Sequence, residues 1–77
     1  MIKIIDIEYI QDYIIRLTFD NGMVKNVDLQ PYLTGDVFGP LKDKSKFTQY
    51  GLTPRSIEWY NGADFAPEFL YQLPDIK

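Results

Sequence analysis

The chain has 77 residues, 45% of them apolar and 16% aromatic, with a formal net charge of −3 and a pI near 4.6. That length gives one domain and one core, read over residues 1–77, and the aromatic content excludes a disordered chain. The acidic balance works against phosphate neutralisation, and the lack of any Cys excludes a disulfide scaffold and thiolate chemistry.

In chain order, residues 3–9 read as a strand with Ile5, Ile7 and Tyr9 on one face. Residues 13–19 read as a second, with Tyr13, Ile15, Leu17 and Phe19 on one face. Residues 23–29 read as a third, with Met23, Val27 and Leu29 sharing a face. A two-residue Asn21-Gly22 turn would drive Asp28 into the core. A three-residue loop with a left-handed Gly22 instead sets Phe19 opposite Met23, Ile15 opposite Val27 and Tyr13 opposite Leu29, and is preferred. The same logic makes Ile10-Gln11-Asp12 the first loop. It pairs Tyr9 with Tyr13, Ile7 with Ile15 and Ile5 with Leu17. The outer face then pairs Arg16 with Asp6 and with Asn26, and leaves Ile2, Ile4, Ile14 and Val24 facing away from the core.

Residues 30–42 hold Pro31, Gly35, Gly39 and Pro40 and read as a crossing loop with a helical turn at Pro31-Tyr32-Leu33, pinned by Val37, Phe38 and Leu41. Asp43 reads as the N-cap of a helix from Lys44 to Tyr50, closed by a left-handed Gly51. Arg55 to Tyr60 reads as a fourth strand with Ile57 and Trp59 inward. Pro67 opens a last helix, where Phe65 staples against Leu70, and Pro74 ends it. No internal repeat is evident. The expected fold class is α+β: a small antiparallel sheet from an N-terminal three-stranded meander plus a later fourth strand, with two short helices.

Catalytic signals are weak. The chain has no His, which removes the commonest general base and metal ligand. Ser45 and Ser56 have no base near them in sequence, and the glycines are isolated. Glu58, Asp64 and Glu68 could make an acid pair or a hard-cation site. The simpler reading is that acids near Pro67 satisfy the free N–H groups of the last helix. Lys42, Lys44 and Lys46 read as a solvated face rather than a phosphate-binding patch. Trp59 reads as a core ring and Asn61-Gly62 as a tight turn, against the alternative of a partner-binding aromatic beside a polar loop. No catalytic, cofactor or metal residue is assigned.

Phe19-Asp20-Asn21-Gly22, then Val27-Asp28-Leu29, Phe38-Gly39-Pro40-Leu41, Phe47, and Glu58-Trp59-Tyr60-Asn61-Gly62-Ala63-Asp64 with Leu70-Tyr71, run in an order that resembles the bacterial domain-of-unknown-function family 2442. The resemblance covers nearly the whole chain. It implies a small α+β fold with no established activity. Members that neighbour another small uncharacterised family, number 4160, imply a toxin–antitoxin role. Some members resemble this domain fused to a helix-turn-helix, which this sequence does not carry. The family often has Pro between the Trp and the Asn, so Tyr60 implies a looser turn.

Together these readings give a cytoplasmic, non-enzymatic protein-interaction module. It works as a homodimer or with a small bacterial protein partner, antitoxin-like by resemblance, and not with nucleic acid or membrane. The expected partner-binding residues are Ile2, Ile4, Ile14, Val24, Trp59 and Tyr60. The twelve aromatics cannot all be buried in one small core, and an open sheet leaves edge groups unpaired. The alternative is a small enzyme or ligand or metal binder using the acidic residues near the C-terminal helix.

Overall fold

A computed structural model describes residues 2–76. The expected meander is present. Strands β1 (Ile4–Gln11), β2 (Ile14–Phe19) and β3 (Val24–Asp28) pair antiparallel in the order β1-β2-β3. Ile15, Leu17 and Phe19 of β2 are fully buried, because strict alternation puts every second side chain on the core face.

The β2–β3 register is the expected one. Ile15 faces Val27 and Arg16 faces Asn26. The Phe19 amide donates to Met23 O at 2.8 Å, the Leu29 amide to Tyr13 O at 2.9 Å, and Gly22 has φ +90°. Met23, although level with Phe19, is 45% exposed at the sheet's rim.

β1 departs from the expected register. Tyr9 faces Ile15, Ile7 faces Leu17 and Ile4 faces Phe19. Arg16 therefore pairs with Glu8, and Asp6 with Thr18. Two irregularities cause this, one between Ile4 and Asp6 and one between Tyr9 and Gln11. Each inserts an extra residue and reverses the alternation. The turn is a tight one at Asp12, φ +49°, whose carbonyl accepts from the Tyr9 hydroxyl at 3.0 Å. The bulge at Ile5 makes Ile4 a core residue, 2% exposed, and turns Ile5 out, 54% exposed.

The crossing segment contains 3-10 turns at Gln30–Tyr32 and Gly39–Lys42 and a helical turn α1, Gly35–Phe38. Leu33 and Leu41 are buried and Phe38 stacks on Phe65, but the expected pin Val37 lies in solvent. Asp43 caps α2 (Lys44–Phe47), accepting from the Ser45 amide at 3.0 Å and the Ser45 hydroxyl at 2.7 Å. The helix stops after Phe47. Tyr50 and Gly51 belong to a strand, β4 (Tyr50–Leu52), and Gly51 is not left-handed.

The later strand, β5 (Ile57–Trp59), has Ile57 and Trp59 buried as expected. It centres a second three-stranded sheet, ordered β4-β5-β6, with β6 at Asp64–Phe65. α3 (Pro67–Gln72) opens on Pro67, packs Leu70 into the core and ends before Pro74. Phe65 stacks on Phe69 at 5.4 Å instead of stapling Leu70. No described helix is long and apolar enough to cross a membrane.

One buried cluster takes side chains from both sheets, the crossing segment and α3. Phe47 links the two sheets, its ring meeting Tyr9 and Tyr13 of the first hairpin and Trp59 of β5. Trp59 also touches Tyr50 and Phe65 within its own sheet, and its indole N–H donates to Phe47 O at 2.7 Å. Every aromatic ring except Tyr60 meets another ring. As expected, not all twelve aromatics are buried: Phe19, Phe47 and Trp59 are, most others are half-buried against them, and Tyr32 and Tyr60 are exposed.

The chain does repeat one local unit. Phe19-Asp20-Asn21-Gly22-Met23 and Trp59-Tyr60-Asn61-Gly62-Ala63 make the same turn. The Trp59 amide donates to Ala63 O at 2.8 Å and Gly62 has φ +87°. Gly22 and Gly62 amides reach the aromatic carbonyls at 3.0 Å each. The Asn side chain accepts from the amide two residues on, Met23 at 3.0 Å and Ala63 at 3.1 Å. Both units run on through Asp, an apolar residue, one further residue and Pro: Asp28 to Pro31 and Asp64 to Pro67. The longer return strand of the first unit hides the likeness in sequence. At the position between Trp59 and Asn61, the Tyr60 amide donates to Gln49 O at 3.0 Å, a bond that Pro could not make.

Candidate interaction surface

Cross-strand partners share a face, so the register defines the outer face of the meander. Its middle row is Glu8, Arg16 and Asn26, with Asp6, Thr18 and Val24 on one side and Gln11, Ile14 and Asp28 on the other. Arg16 Nη1 meets Glu8 Oε1 at 3.3 Å and Arg16 Nε donates to Asn26 Oδ1 at 3.0 Å. The row continues past the sheet: Asn26 Nδ2 donates to Ile76 O at 3.3 Å. Asn26 also donates its amide to Asp75 Oδ1 at 2.9 Å and accepts the Ile76 amide at 2.8 Å. The C-terminal segment after α3 therefore lies along the edge of β3.

The expected partner-binding residues scatter. Ile4 and Trp59, each 2% exposed, are core residues with no surface to present. Ile2 is half-buried against the core. Ile14 is half-buried on the outer face, and Val24, 47% exposed, lies on it fully. Tyr60 is exposed at the tip of the second turn. Sequence reasoning missed Ile5, Ile10 and Met23, exposed around the same meander. The adjacent pairs Ile4-Ile5 and Ile14-Ile15 are the only signal, because two neighbours in a strand cannot both face inward unless a bulge intervenes.

Two of the three carboxylates meet: Glu58 faces Asp64 across β5 and β6, both exposed, while Glu68 pairs with Arg55 at 3.8 Å. The residue capping α3 is Ala66, with no side-chain bond, so Asp64 is not its cap; only Glu68 lies in the first turn. Among the described residues no three potential metal-ligating side chains come together. An open cleft of about 440 Å³ lies between the Thr53–Ser56 turn and β6, with Arg55 and Asp64 on its walls. Ser56, at its floor, already donates its hydroxyl to Phe65 O at 2.6 Å.

The lysines are also separate. Lys44 bonds Asp12 at 2.9 Å, and that carboxylate holds the ammonium above its ordinary range. Hydrogen bonds from Ser45 hold the Asp43 carboxyl below its usual range, and burial pushes the Tyr50 phenol up.

Residues 4–73 match the family described as "Protein of unknown function (DUF2442)". The chain belongs to the DUF2442 family. No curated protein and no solved structure matches it. Within the matched residues the two Asn-Gly turns and Trp59 have structural parts: the turns close their hairpins, and Trp59 packs on Phe47 and bonds its carbonyl.

Proposed function

We propose that this DUF2442 chain is a non-enzymatic protein-interaction module acting in the cytoplasm, as a homodimer or with another small protein, in the antitoxin-like manner the family resemblance implies. The observation that supports this is the one-sided meander. The core packs against its inner face, while Ile5, Ile10, Met23 and Val24 stand in solvent around its outer face and rim. Exposed aliphatic side chains grouped on one element favour a partner.

The outer face carries Asp6, Glu8 and Asp28 against Arg16 alone. Two copies stacked on this face would set like charges together, so edge pairing is the better route to a second chain. Nucleic acid and membrane fall outside the proposal: the net charge of −3 works against neutralising phosphates, and Lys44 is paired with Asp12.

The test is sedimentation of the purified chain, alone and with proteins captured and identified from its host. Wild type should form a defined complex that Val24→Asp weakens without loss of fold. A chain that stays monomeric and captures nothing overturns the reading. A second reading rests on the cleft beside Asp64, as a small ligand or acid-catalysis site. It requires ligand binding or hydrolase activity that Asp64→Asn abolishes.

A further inference from the structure

The β2–β3 ladder fixes which backbone groups of β3 are open. Met23 and Leu29 bond towards β2. In an antiparallel pair the direction alternates, so Val24, Asn26 and Asp28 turn their amides and carbonyls to the free edge. Among the described residues the C-terminal segment reaches only the middle one of the three, Asn26.

At Asn26 the fit is specific. The edge offers an N–H, a C=O and the side-chain Nδ2. The segment answers with the Asp75 carboxylate, the Ile76 N–H and the Ile76 C=O. The amide plane of Asn26 is set by Arg16, which is itself held by Glu8, so Nδ2 is aimed outward before anything binds. On the inner side Lys25 lies 5.4 Å from the Tyr71 ring centre and bonds Tyr71 O. That contact anchors the end of α3 beside β3, where Asp75 and Ile76 then meet Asn26.

We propose that the β3 edge is a strand-addition site for an extended segment of another protein carrying Asp followed by an aliphatic residue, and that Asp75-Ile76 is its built-in occupant. This rests on the interaction-module reading and names its surface and the partner's chemistry. A full partner strand would also pair with Val24 and Asp28, which Asp75 and Ile76 do not reach. That extra pairing lets it displace an occupant favoured by an effective concentration on the order of millimolar.

The experiment uses the full chain and a synthetic peptide copying residues 72–77, read by amide hydrogen exchange and NMR shifts. In wild type the Asn26 amide should be protected. Asp75→Ala with Ile76→Pro should speed its exchange roughly tenfold or more while Val27 stays protected and the fold persists. Millimolar peptide should then restore protection and shift Val24, Asn26 and Asp28, and a peptide with Ala in place of its Asp should not. Unchanged Asn26 exchange in the double variant, or no peptide effect on it, overturns the proposal. Dimerisation of the double variant through β3, seen by sedimentation, also overturns it and makes a second copy the occupant. These readings need no natural partner, so they stand or fall apart from the capture experiment.

Discussion

Asn21 and Asn61 hold equivalent places in two copies of one turn, and each also ties its turn to a different part of the fold. Asn21 Nδ2 reaches the Tyr71 hydroxyl at 3.1 Å, and Asn61 Nδ2 reaches Val37 O at 2.8 Å. Gly22→Val and Gly62→Val should each cost at least about 1–2 kcal/mol, since a β-branched residue resists a left-handed backbone. Asn21→Ser should cost less than Gly22→Val. Tyr71→Phe should reduce the effect of a later Asn21→Ala and leave Asn61→Ala unchanged. Urea midpoints of the single and double variants measure all of these.

The bulge at Ile5 separates neighbours of the same type. Ile4→Ala should cost about 2–5 kcal/mol through lost methylenes and a cavity, and Ile5→Ala should stay within about 0.5 kcal/mol. Leu17→Ala and Thr18→Ala should split the same way on β2. Equal denaturation midpoints for Ile4→Ala and Ile5→Ala would show that β1 has no bulge there.

Trp59→Phe keeps a ring against Phe47 and removes the donor to its carbonyl. The carbonyl left unpaired in the core should cost about 1–3 kcal/mol, beyond the loss of ring area. Calorimetry of the variant against wild type gives the value. A neutral result would mean that another donor, such as water, reaches that carbonyl.

Asp43 gives the fold an acid dependence. Its folded carboxyl titrates below the ordinary 3.8, so its stabilising effect is complete above that value and fades as pH falls through the lower folded value. The thermal midpoint of Asp43→Asn should therefore lie below that of wild type at neutral pH, and the gap should close in strong acid. A gap that stays constant with pH would assign the effect to something other than the charged cap. Lys44 acts in the opposite range: its pairing is complete below 10.5 and is lost only at strongly alkaline pH.

The meander and the Gly22 loop were legible because their apolar residues alternate and only one register keeps Asp28 out of the core. β1 was not, since Ile4-Ile5 gives no alternation to choose between and the register depends on two bulges. β4 was hidden for a different reason: Lys44 to Tyr50 has helical spacing, but the three-residue strand is set by pairing with β5, which lies later in the chain. The interaction surface suffered from the β1 error, because reversing one strand moved Ile4 inward and Ile5 outward. The role of Asp75-Ile76 had no sequence signal at all, as it depends on where α3 leaves the chain relative to β3.

The chain holds a single Trp, on the second sheet, packed against Phe47, whose ring in turn meets Tyr9 and Tyr13 of the first hairpin. Its emission should be blue-shifted in the native state, with excitation energy passed to it from nearby tyrosines such as Tyr50. A fluorescence melt of the unmodified protein thus reports the packing of the second sheet on Phe47, the ring through which it meets the first hairpin. Far-ultraviolet circular dichroism reports the strands themselves. If the meander outlasts its docking onto the second sheet, the two signals will part, and the protein will reveal a half-assembled form without any added label.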